Sequence, residues 1–119
     1  MWLQKEFSLK AQARGFHLVT SEVVVALPEL ASIQVGLLHL LLKHTSASLS
    51  INENADPTVR LDFESHFSNF VPENAPYYKH DYEGSDDMPA HLKSSILGVS
   101  LCLQITQGSL NLGVWQGVY

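Results

Sequence analysis

Apolar and polar residues alternate along the first ten positions of the chain. Leu3, Phe7 and Leu9 fall on one side of this pattern, and polar or charged residues fall on the other. Because successive side chains of a strand point to opposite faces, residues 1–10 are predicted to form a half-buried strand. A glycine separates them from a second apolar stretch, residues 16–20, which predicts another short strand.

The middle of the chain carries the longest apolar run, residues 35–43. Its length and continuity predict a strand that is buried on both faces. Residues 47–52 then alternate, with Ala, Leu and Ile on one face and Ser, Ser and Asn on the other. Such a polar face favours a site that forms hydrogen bonds with a ligand.

Prolines, glycines and capping residues mark three helices. Asp, Ser and Thr side chains accept hydrogen bonds from free N–H groups at a helix start, where proline also fits, and glycine commonly ends a helix. The predicted helices begin at Thr20 or Ser21 and stop before Pro28, run from Asp56 to Pro72, and run from Asp86 or Asp87 to Gly98. In the second helix Phe63, Phe67 and Phe70 recur at helical spacing, which predicts a core-facing stripe.

The other segments complete an α+β chain. Residues 74–87 form a predicted loop, residues 99–105 alternate like a strand, and residues 110–119 return as a last strand after a turn at 107–109. This order of elements is unlike the regular alternation of βαβ units. The sequence therefore predicts one α+β domain over residues 1–119, with a mostly antiparallel sheet or sandwich.

Composition narrows the classes of function. Seven Lys and Arg against twelve Asp and Glu give the 119-residue chain a net charge of −5, which is poorly suited to neutralising nucleic-acid phosphates. The most apolar stretch, residues 35–42, is far shorter than the roughly 20 residues that span a bilayer, so no membrane partner is expected. The single cysteine, Cys102, excludes an internal disulfide and predicts a cytoplasmic location.

Histidines and carboxylates supply the first candidate chemistry. Imidazoles and carboxylates together could hold Zn²⁺ or Mn²⁺, whereas carboxylates alone suit Mg²⁺. No spacing matches a local zinc motif, so ordinary surface histidines and a solvated acidic loop at a helix start are the alternative. The candidates are His44, His80, Glu83, Asp86, Asp87 and His91.

Hydroxyl and amide side chains form a second candidate group. Residues 44–48, HTSAS, could cradle an anion, or their Ser and Thr could simply pair across a sheet. Asn52, Glu53 and Asn54 exceed what a helix cap at Asp56 requires. Gln116 could present its amide to a pocket, although core packing explains the tryptophan before it.

Three runs combine histidines, carboxylates, amides and glycines: HTSASLSINENADP at 44–57, HDYEGSDDMPAHLK at 80–93 and GVWQG at 113–117. Together they resemble the YjbQ family, the secondary thiamine-phosphate synthases. The RGFHLVT segment at 14–20 fits as well, and the resemblance extends from residue 2 to the last residue. It implies an α+β fold built around an antiparallel β-sandwich with a few short helices packed on it, assembled as a homotrimer. Family members continue through one more strand, which this chain is expected to lack.

The resemblance also implies a weak activity that joins an aminopyrimidine diphosphate to a thiazole phosphate with release of pyrophosphate. A divalent metal, Mg or Zn, would assist the leaving group. The expected catalytic residues are His44, Glu83, Asp87 and His91, and the expected metal ligands are His44, His80, Asp86 and His91. The residues expected to bind the small phosphorylated substrates are Ser46, Ser48, Asn52, Glu53, Asn54, Lys93 and Gln116.

Two alternatives stand beside this hypothesis. The first is a non-enzymatic trimer that binds a metal or a phosphorylated metabolite and whose synthase activity is incidental. The scarcity of cationic side chains for two phosphorylated substrates favours it. The second is a degraded copy of the family, suggested only by the early end of the chain.

Overall fold

Five strands and three α-helices make up the fold in the computed structural model, which describes residues 2–119. The helices are α1 (Thr20–Ala26), α2 (Pro57–Phe70) and α3 (Asp87–Leu97), with a 3₁₀ helix at Pro28–Ser32. The strands are β1 (Val35–Leu41), β2 (Ile51–Glu53), β3 (Ser100–Thr106), β4 (Ser109–Leu110) and β5 (Gln116–Val118). This order confirms the predicted α+β class.

The strands form two antiparallel sheets. One sheet has the order β1-β3-β4, and the other pairs β2 with β5. Gln107 (φ 50°) and Gly108 (φ 77°) connect β3 to β4. A two-residue hairpin loop with positive φ at both positions matches the twist of the strands, and glycine adopts such a φ without strain. The predicted turn at 107–109 is therefore confirmed.

The core joins both sheets to α1. Its buried centre contains Val19, Val23, Leu103 and Val118. Side chains from β1 and β2 pack against this centre, so the two sheets bury their apolar faces together. This arrangement accounts for the sandwich-like architecture, since each sheet alone would leave that face in water.

Local capping chemistry explains the starts and ends of the helices. The Asp56 carboxylate accepts a hydrogen bond from the backbone N–H of Thr58 at 2.9 Å, and Pro57 opens α2 as predicted. Gly98 ends α3 with φ 91°. The predicted cap of α1 was wrong, because the helix begins after Val19 and the Thr20 hydroxyl instead accepts a hydrogen bond from the N–H of Val118.

The two predicted N-terminal strands were wrong. Residues 2–10 and 16–19 are irregular, while residue 1 lies outside the described part of the chain. Phe7 and Leu9 still pack against the core, which explains the alternation in the sequence. A strand needs a partner ladder, however, and residues 2–10 pair with no strand among residues 2–119. The second segment contributes only an isolated sheet-like bond, from the N–H of Val19 to the carbonyl of Val118.

Burial differs from the predictions in two further elements. β1 buries only one face, and Val35, Leu37 and Leu41 are 87%, 69% and 61% exposed, because one packed layer covers this sheet within the chain. On α2, Phe67 is half-buried but Phe70 is 62% exposed. The aromatic stripe therefore packs towards its N-terminal end and leaves the helix end uncovered.

The C-terminal segment is not the single strand predicted over residues 110–119. A turn closed by the N–H of Gln116 and the carbonyl of Gly113 separates β4 from β5. Between residues 2 and 119, the helices are all too short or too polar to cross a membrane.

Candidate metal site

The loop before α3 and the first turns of α3 bring two histidines onto one carboxylate. Asp87 opens α3, and His91 follows four residues later on the same helix face. Asp87 Oδ2 lies 2.8 Å from His80 Nε2 and 3.1 Å from His91 Nε2. One ligand atom from each of these residues can be chosen so that all three lie within 4.8 Å of one another. We call His80, Asp87 and His91 the His–Asp cluster.

A backbone carbonyl from a distant segment orients His91. Its Nδ1 lies 2.9 Å from the Thr45 carbonyl oxygen, which can only accept, so Nδ1 carries a hydrogen and donates it. Nε2 then faces the Asp87 carboxylate. Metal-binding histidines commonly donate their second ring N–H to a carbonyl. His91 is therefore oriented as a metal ligand is.

The Asp87 carboxylate is held in its charged form. Partial burial raises its pKa, but the hydrogen bond with His80 and the charges of His91 and His80 outweigh burial and lower the pKa of Asp87 below its ordinary value. The N-terminus of α3 also favours a negative charge at this position. A deprotonated carboxylate is the form that binds a metal.

The donor set fits a zinc-type ion better than magnesium. Zinc and manganese accept imidazole nitrogen together with carboxylate oxygen, whereas magnesium prefers oxygen ligands. Ligand atoms around a tetrahedral zinc lie about 3.3 Å apart, at zinc distances of about 2.0–2.1 Å. The two Asp87 contacts, at 2.8 and 3.1 Å, would widen by about half an ångström or less around such an ion. The third pair of ligand atoms, from the two imidazoles, lies within 4.8 Å and would adjust to the same spacing. Three protein ligands would leave a fourth position open, as in catalytic zinc sites.

The cluster is open to solvent on one side. The side chains of His80 and His91 are 31% and 30% exposed, and that of Asp87 is 20% exposed. The Tyr82 ring stands edge-on to the His80 imidazole, with the ring centroids 4.8 Å apart. Glu83 Oε2 lies 3.9 Å from His80 Nε2, so this predicted catalytic residue borders the cluster.

An ion network closes the loop that carries His80. The Arg14 guanidinium donates to Glu73 at 2.6 Å and to Glu64 at 3.1 Å. The Ser85 hydroxyl donates to the other carboxylate oxygen of Glu73 at 3.0 Å. Hydrogen bonds from Arg14 and Ser85 lower the pKa of Glu73. Because Glu73 and Ser85 lie near opposite ends of the loop, their bond holds those ends together.

Lys93 is half-buried, and its pKa responds to the charges of this network. Burial lowers the pKa of Lys93, and the charge of Arg14 lowers it further, while nearby carboxylates act in the opposite direction. Those carboxylates are Glu64, Glu73 and Asp86. The role of Lys93 in binding a substrate phosphate stays a prediction.

Two predicted metal ligands are not among the three residues that converge. His44 Nδ1 accepts a hydrogen bond from the backbone N–H of Ser46 at 3.0 Å, with the Ser46 hydroxyl 3.3 Å away. Asp86 is exposed and precedes α3 without a side-chain capping bond. Ser48 lies half-buried in the segment that leads from Ser46 to β2. Asp86 was the carboxylate expected to join the histidines, and Asp87 was expected to be catalytic. The structure instead places Asp87 beside His80 and His91.

The polar residues around β2 and β5 bind the backbone of the chain itself. Glu53 Oε2 accepts from the N–H of Asp56 at 3.1 Å, and Asn52 Oδ1 accepts from the N–H of Glu53 at 2.8 Å. The Asn54 amide donates to the Gln116 carbonyl at 3.0 Å, and Gln116 Oε1 accepts from the N–H of Gly113 at 2.8 Å. We call Asn52, Glu53, Asn54 and Gln116 the β2–β5 polar cluster. Its side chains stabilise a strand pair and a turn.

Comparison with known proteins identifies the family. Residues 5–119 match the family described as UPF0047 protein YjbQ-like. The chain belongs to the UPF0047 family. It is 59% identical to UPF0047 protein YjbQ of Salmonella typhimurium and 56% identical to that of Escherichia coli O157:H7, in each case over the whole chain and 86% of the relative.

Two solved structures share the fold. An uncharacterized conserved protein of the yjbq/upf0047 family from Clostridium acetobutylicum superposes with a TM-score of 0.82 at 36% identity, covering 95% of this chain and 84% of that one. The conserved hypothetical protein TT1486 from Thermus thermophilus gives 0.76 at 38% identity, covering 87% and 77%. The family predicted from the three sequence runs is therefore confirmed, together with its α+β fold.

Sequence reasoning on this UPF0047 chain missed two features of the site. The Thr45 carbonyl, which orients His91, leaves no signal in the sequence because every residue has a carbonyl. The pairing of Asp87 with His91 did leave a signal in the sequence, since residues four apart on a predicted helix share a face. The same spacing rule distinguishes Asp87 from Asp86.

Proposed function

We propose that this UPF0047 chain binds a divalent metal ion through His80, Asp87 and His91 and uses it on a small phosphorylated metabolite. The observation that carries the proposal is the convergence of two imidazoles on one charged carboxylate, with the second ring nitrogen of His91 directed to a backbone carbonyl. Zinc or manganese suits this donor set better than magnesium.

The proposed reaction is the one that the family resemblance implies. The C–O bond between the pyrimidine methylene and the diphosphate breaks, the thiazole nitrogen bonds to that carbon, and thiamine phosphate and pyrophosphate form. A bound divalent ion supplies Lewis-acid stabilisation of the charge on the leaving pyrophosphate, worth several kcal/mol. Glu83, at the edge of the cluster, is the candidate to exchange a proton with the substrates. His44, the other expected catalytic residue outside the cluster, directly precedes Thr45, whose carbonyl contacts His91.

Metal binding is the first test. The full chain, freed of metal with a chelator, is titrated with Zn²⁺, Mn²⁺ and Mg²⁺ by isothermal titration calorimetry. We expect one ion per chain, with affinity in the order zinc, manganese, magnesium. His91→Ala should remove this binding, while His66→Ala, which changes an exposed histidine on α2, should not. Equal binding by His91→Ala and the unchanged protein would overturn the proposed site.

The synthase assay separates the enzymatic proposal from the binding alternative. Purified protein is mixed with the metal that it binds, the aminopyrimidine diphosphate and the thiazole phosphate, and thiamine phosphate is measured. Product above the His91→Ala background supports the transferase. Metal binding without product, combined with a higher melting temperature in a phosphorylated metabolite, supports a non-enzymatic binding protein instead.

The homotrimer is proposed on the exposed face of the first sheet. Val35, Leu37 and Leu41 lie on this face with His39, opposite the neutral side chains of β3. A neutral apolar face meets a second copy of itself without repulsion between like charges, and interface cores are depleted of charge. Light scattering should give three times the chain mass of 13.2 kDa, and the mass of a single chain would contradict the trimer. Leu37→Glu should lower the measured mass, whereas Val25→Glu on exposed α1 should not.

The proposed location is the cytoplasm. Cys102 carries a free, exposed thiol, which suits a reducing compartment.

A further inference from the structure

The segment of residues 45–49, which leads towards β2, lies along α3. Three hydrogen bonds join the segment to the helix, and their partners are His91 with Thr45, Ser94 with Ala47, and Gly98 with Leu49, at 2.9, 2.7 and 3.0 Å. The bonded residues of α3 and its C-terminal cap are three and four positions apart, which is the spacing of one helix face. The segment is therefore held against the helix face that also carries the His–Asp cluster.

Ser94 makes the central one of these three contacts, and it is only 4% exposed. A serine inside a helix commonly bonds a carbonyl of its own helix, but the Ser94 hydroxyl donates to the Ala47 carbonyl of the other segment. Breaking a hydrogen bond between buried groups costs more than breaking one in water, because the groups find no new partner. The buried Ser94 hydroxyl therefore fixes where residue 47 lies on α3.

The position of Ala47 bears on the His–Asp cluster because Thr45 lies two residues before it. Thr45 is an exposed residue, and its carbonyl accepts the hydrogen bond from His91 Nδ1. A backbone carbonyl orients an imidazole only if the segment that carries it is itself held in place. Because the partner of His91 is a backbone group, no change of the Thr45 side chain removes it. The side chain that holds the segment, Ser94, is the part that a substitution can change.

We propose that Ser94 is a positioning residue for the metal site. Its hydroxyl holds Ala47 on α3, and this contact keeps the Thr45 carbonyl at the imidazole of His91. The carbonyl keeps a hydrogen on Nδ1, so that Nε2 is free to bind a metal ion beside Asp87. This inference rests on the proposed metal site and deepens it, because it adds a residue that binds no metal itself.

The first test measures zinc affinity of the full chain by calorimetry. In Ser94→Ala the zinc dissociation constant should rise about threefold to tenfold, less than the roughly 10–100-fold expected when a direct outer-shell partner is lost. Alanine favours a helix, so this variant should fold, and circular dichroism verifies that it does. Ser32→Ala is the matched control, because the Ser32 hydroxyl also donates to a backbone carbonyl, that of Glu29 at 2.9 Å. Zinc affinity should be unchanged in this control.

The second test follows the hydrogen on His91 Nδ1 in the zinc-loaded protein. Nitrogen-edited NMR measures how fast this hydrogen exchanges with water, and the exchange should be about fivefold faster in Ser94→Ala, because the bond to the Thr45 carbonyl is weakened. A serine that serves packing alone would lower the Tm without changing zinc affinity or this exchange. If either quantity stays unchanged in Ser94→Ala, the positioning role is overturned and the metal site stands. Absence of zinc binding in the unchanged protein would overturn both proposals.

Discussion

The His–Asp cluster and the β2–β5 polar cluster each place polar side chains beside a strand or a helix start, but the two clusters use them differently. In the β2–β5 polar cluster, the side-chain oxygens accept hydrogen bonds from backbone N–H groups within a few residues, and the Asn54 amide donates to a carbonyl. In the His–Asp cluster the side chains meet one another, and only His91 contacts the backbone.

The difference shows why a polar run in a sequence is ambiguous. A turn or a helix start leaves backbone N–H groups without partners, and nearby Asn, Asp, Glu and Gln side chains satisfy them. A binding site instead brings together side chains whose polar atoms face each other from separate elements. Both situations produce polar residues next to strands and helix starts, so composition alone cannot distinguish them.

The largest expected effect is on metal affinity. Asp87→Asn removes the charged oxygen ligand, and the zinc dissociation constant should rise about 100-fold or more, beyond the effect of losing an outer-shell partner. Glu53→Gln removes a carboxylate from the β2–β5 polar cluster and should leave zinc affinity unchanged. Calorimetry with zinc measures both variants. A comparable loss of zinc affinity in Glu53→Gln would contradict the assignment of metal binding to the His–Asp cluster alone.

The next effect is on stability at the start of α2. Asp56→Ala removes the bonds to the N–H and hydroxyl of Thr58, at 2.9 and 2.7 Å, and should lower the Tm by about 3–6 °C. Asp56→Asn keeps a capping oxygen and should lose less than half of that. Thermal unfolding followed by circular dichroism measures the change, and zinc affinity of the folded protein should stay the same.

A smaller effect is expected at the turn before β5. Gln116→Ala leaves the N–H of Gly113 without its side-chain partner and should lower the free energy of unfolding by about 1 kcal/mol. Gln116→Glu retains an acceptor oxygen and serves as the control. Urea unfolding gives both values. If Gln116→Ala instead weakened binding of the thiazole phosphate with stability unchanged, this residue would belong to a ligand site.

The smallest effect is a pH dependence of stability without metal. Because the folded-state pKa of Asp87 is lowered, its stabilisation is present above the unfolded-state value of about 3.9 and is lost as the pH falls through the folded-state value. The Tm difference between the unchanged protein and Asp87→Asn should therefore shrink as the pH falls from about 5 to about 2. Thermal scans in chelator measure this difference, and a gap that widens on acidification would contradict the assignment.

Local chemistry in the sequence was sufficient for several elements. The Asp56-Pro57 pair predicted the start of α2, Gly98 predicted the end of α3, and residues 107–109 predicted the hairpin turn, as observed. Each of these signals acts over a few residues, because a cap, a positive φ or a missing N–H is a property of the local chain.

Strand pairing and burial depended on distant parts of the chain. The alternation predicted the core contacts of Phe7 and Leu9 but no partner strand, and Leu3 is 58% exposed. The apolar run at β1 did not show that only one of its faces is covered. Hydrogen-bond partners of a strand come from residues remote in sequence. A single sequence therefore predicts which residues form the apolar face of a strand more securely than it predicts which strands pair.

The sequence by itself determined the α+β class, the capped helices, the family and the set of histidines and carboxylates from which a site is built. Only the tertiary structure decided that His80 meets Asp87 beside His91, that Gln116 holds a turn and that Asn54 bonds across a strand pair. The reason is physical: neighbouring carboxylates differ by about 100° around a helix, and which one meets a distant histidine depends on how the loop folds back onto that helix.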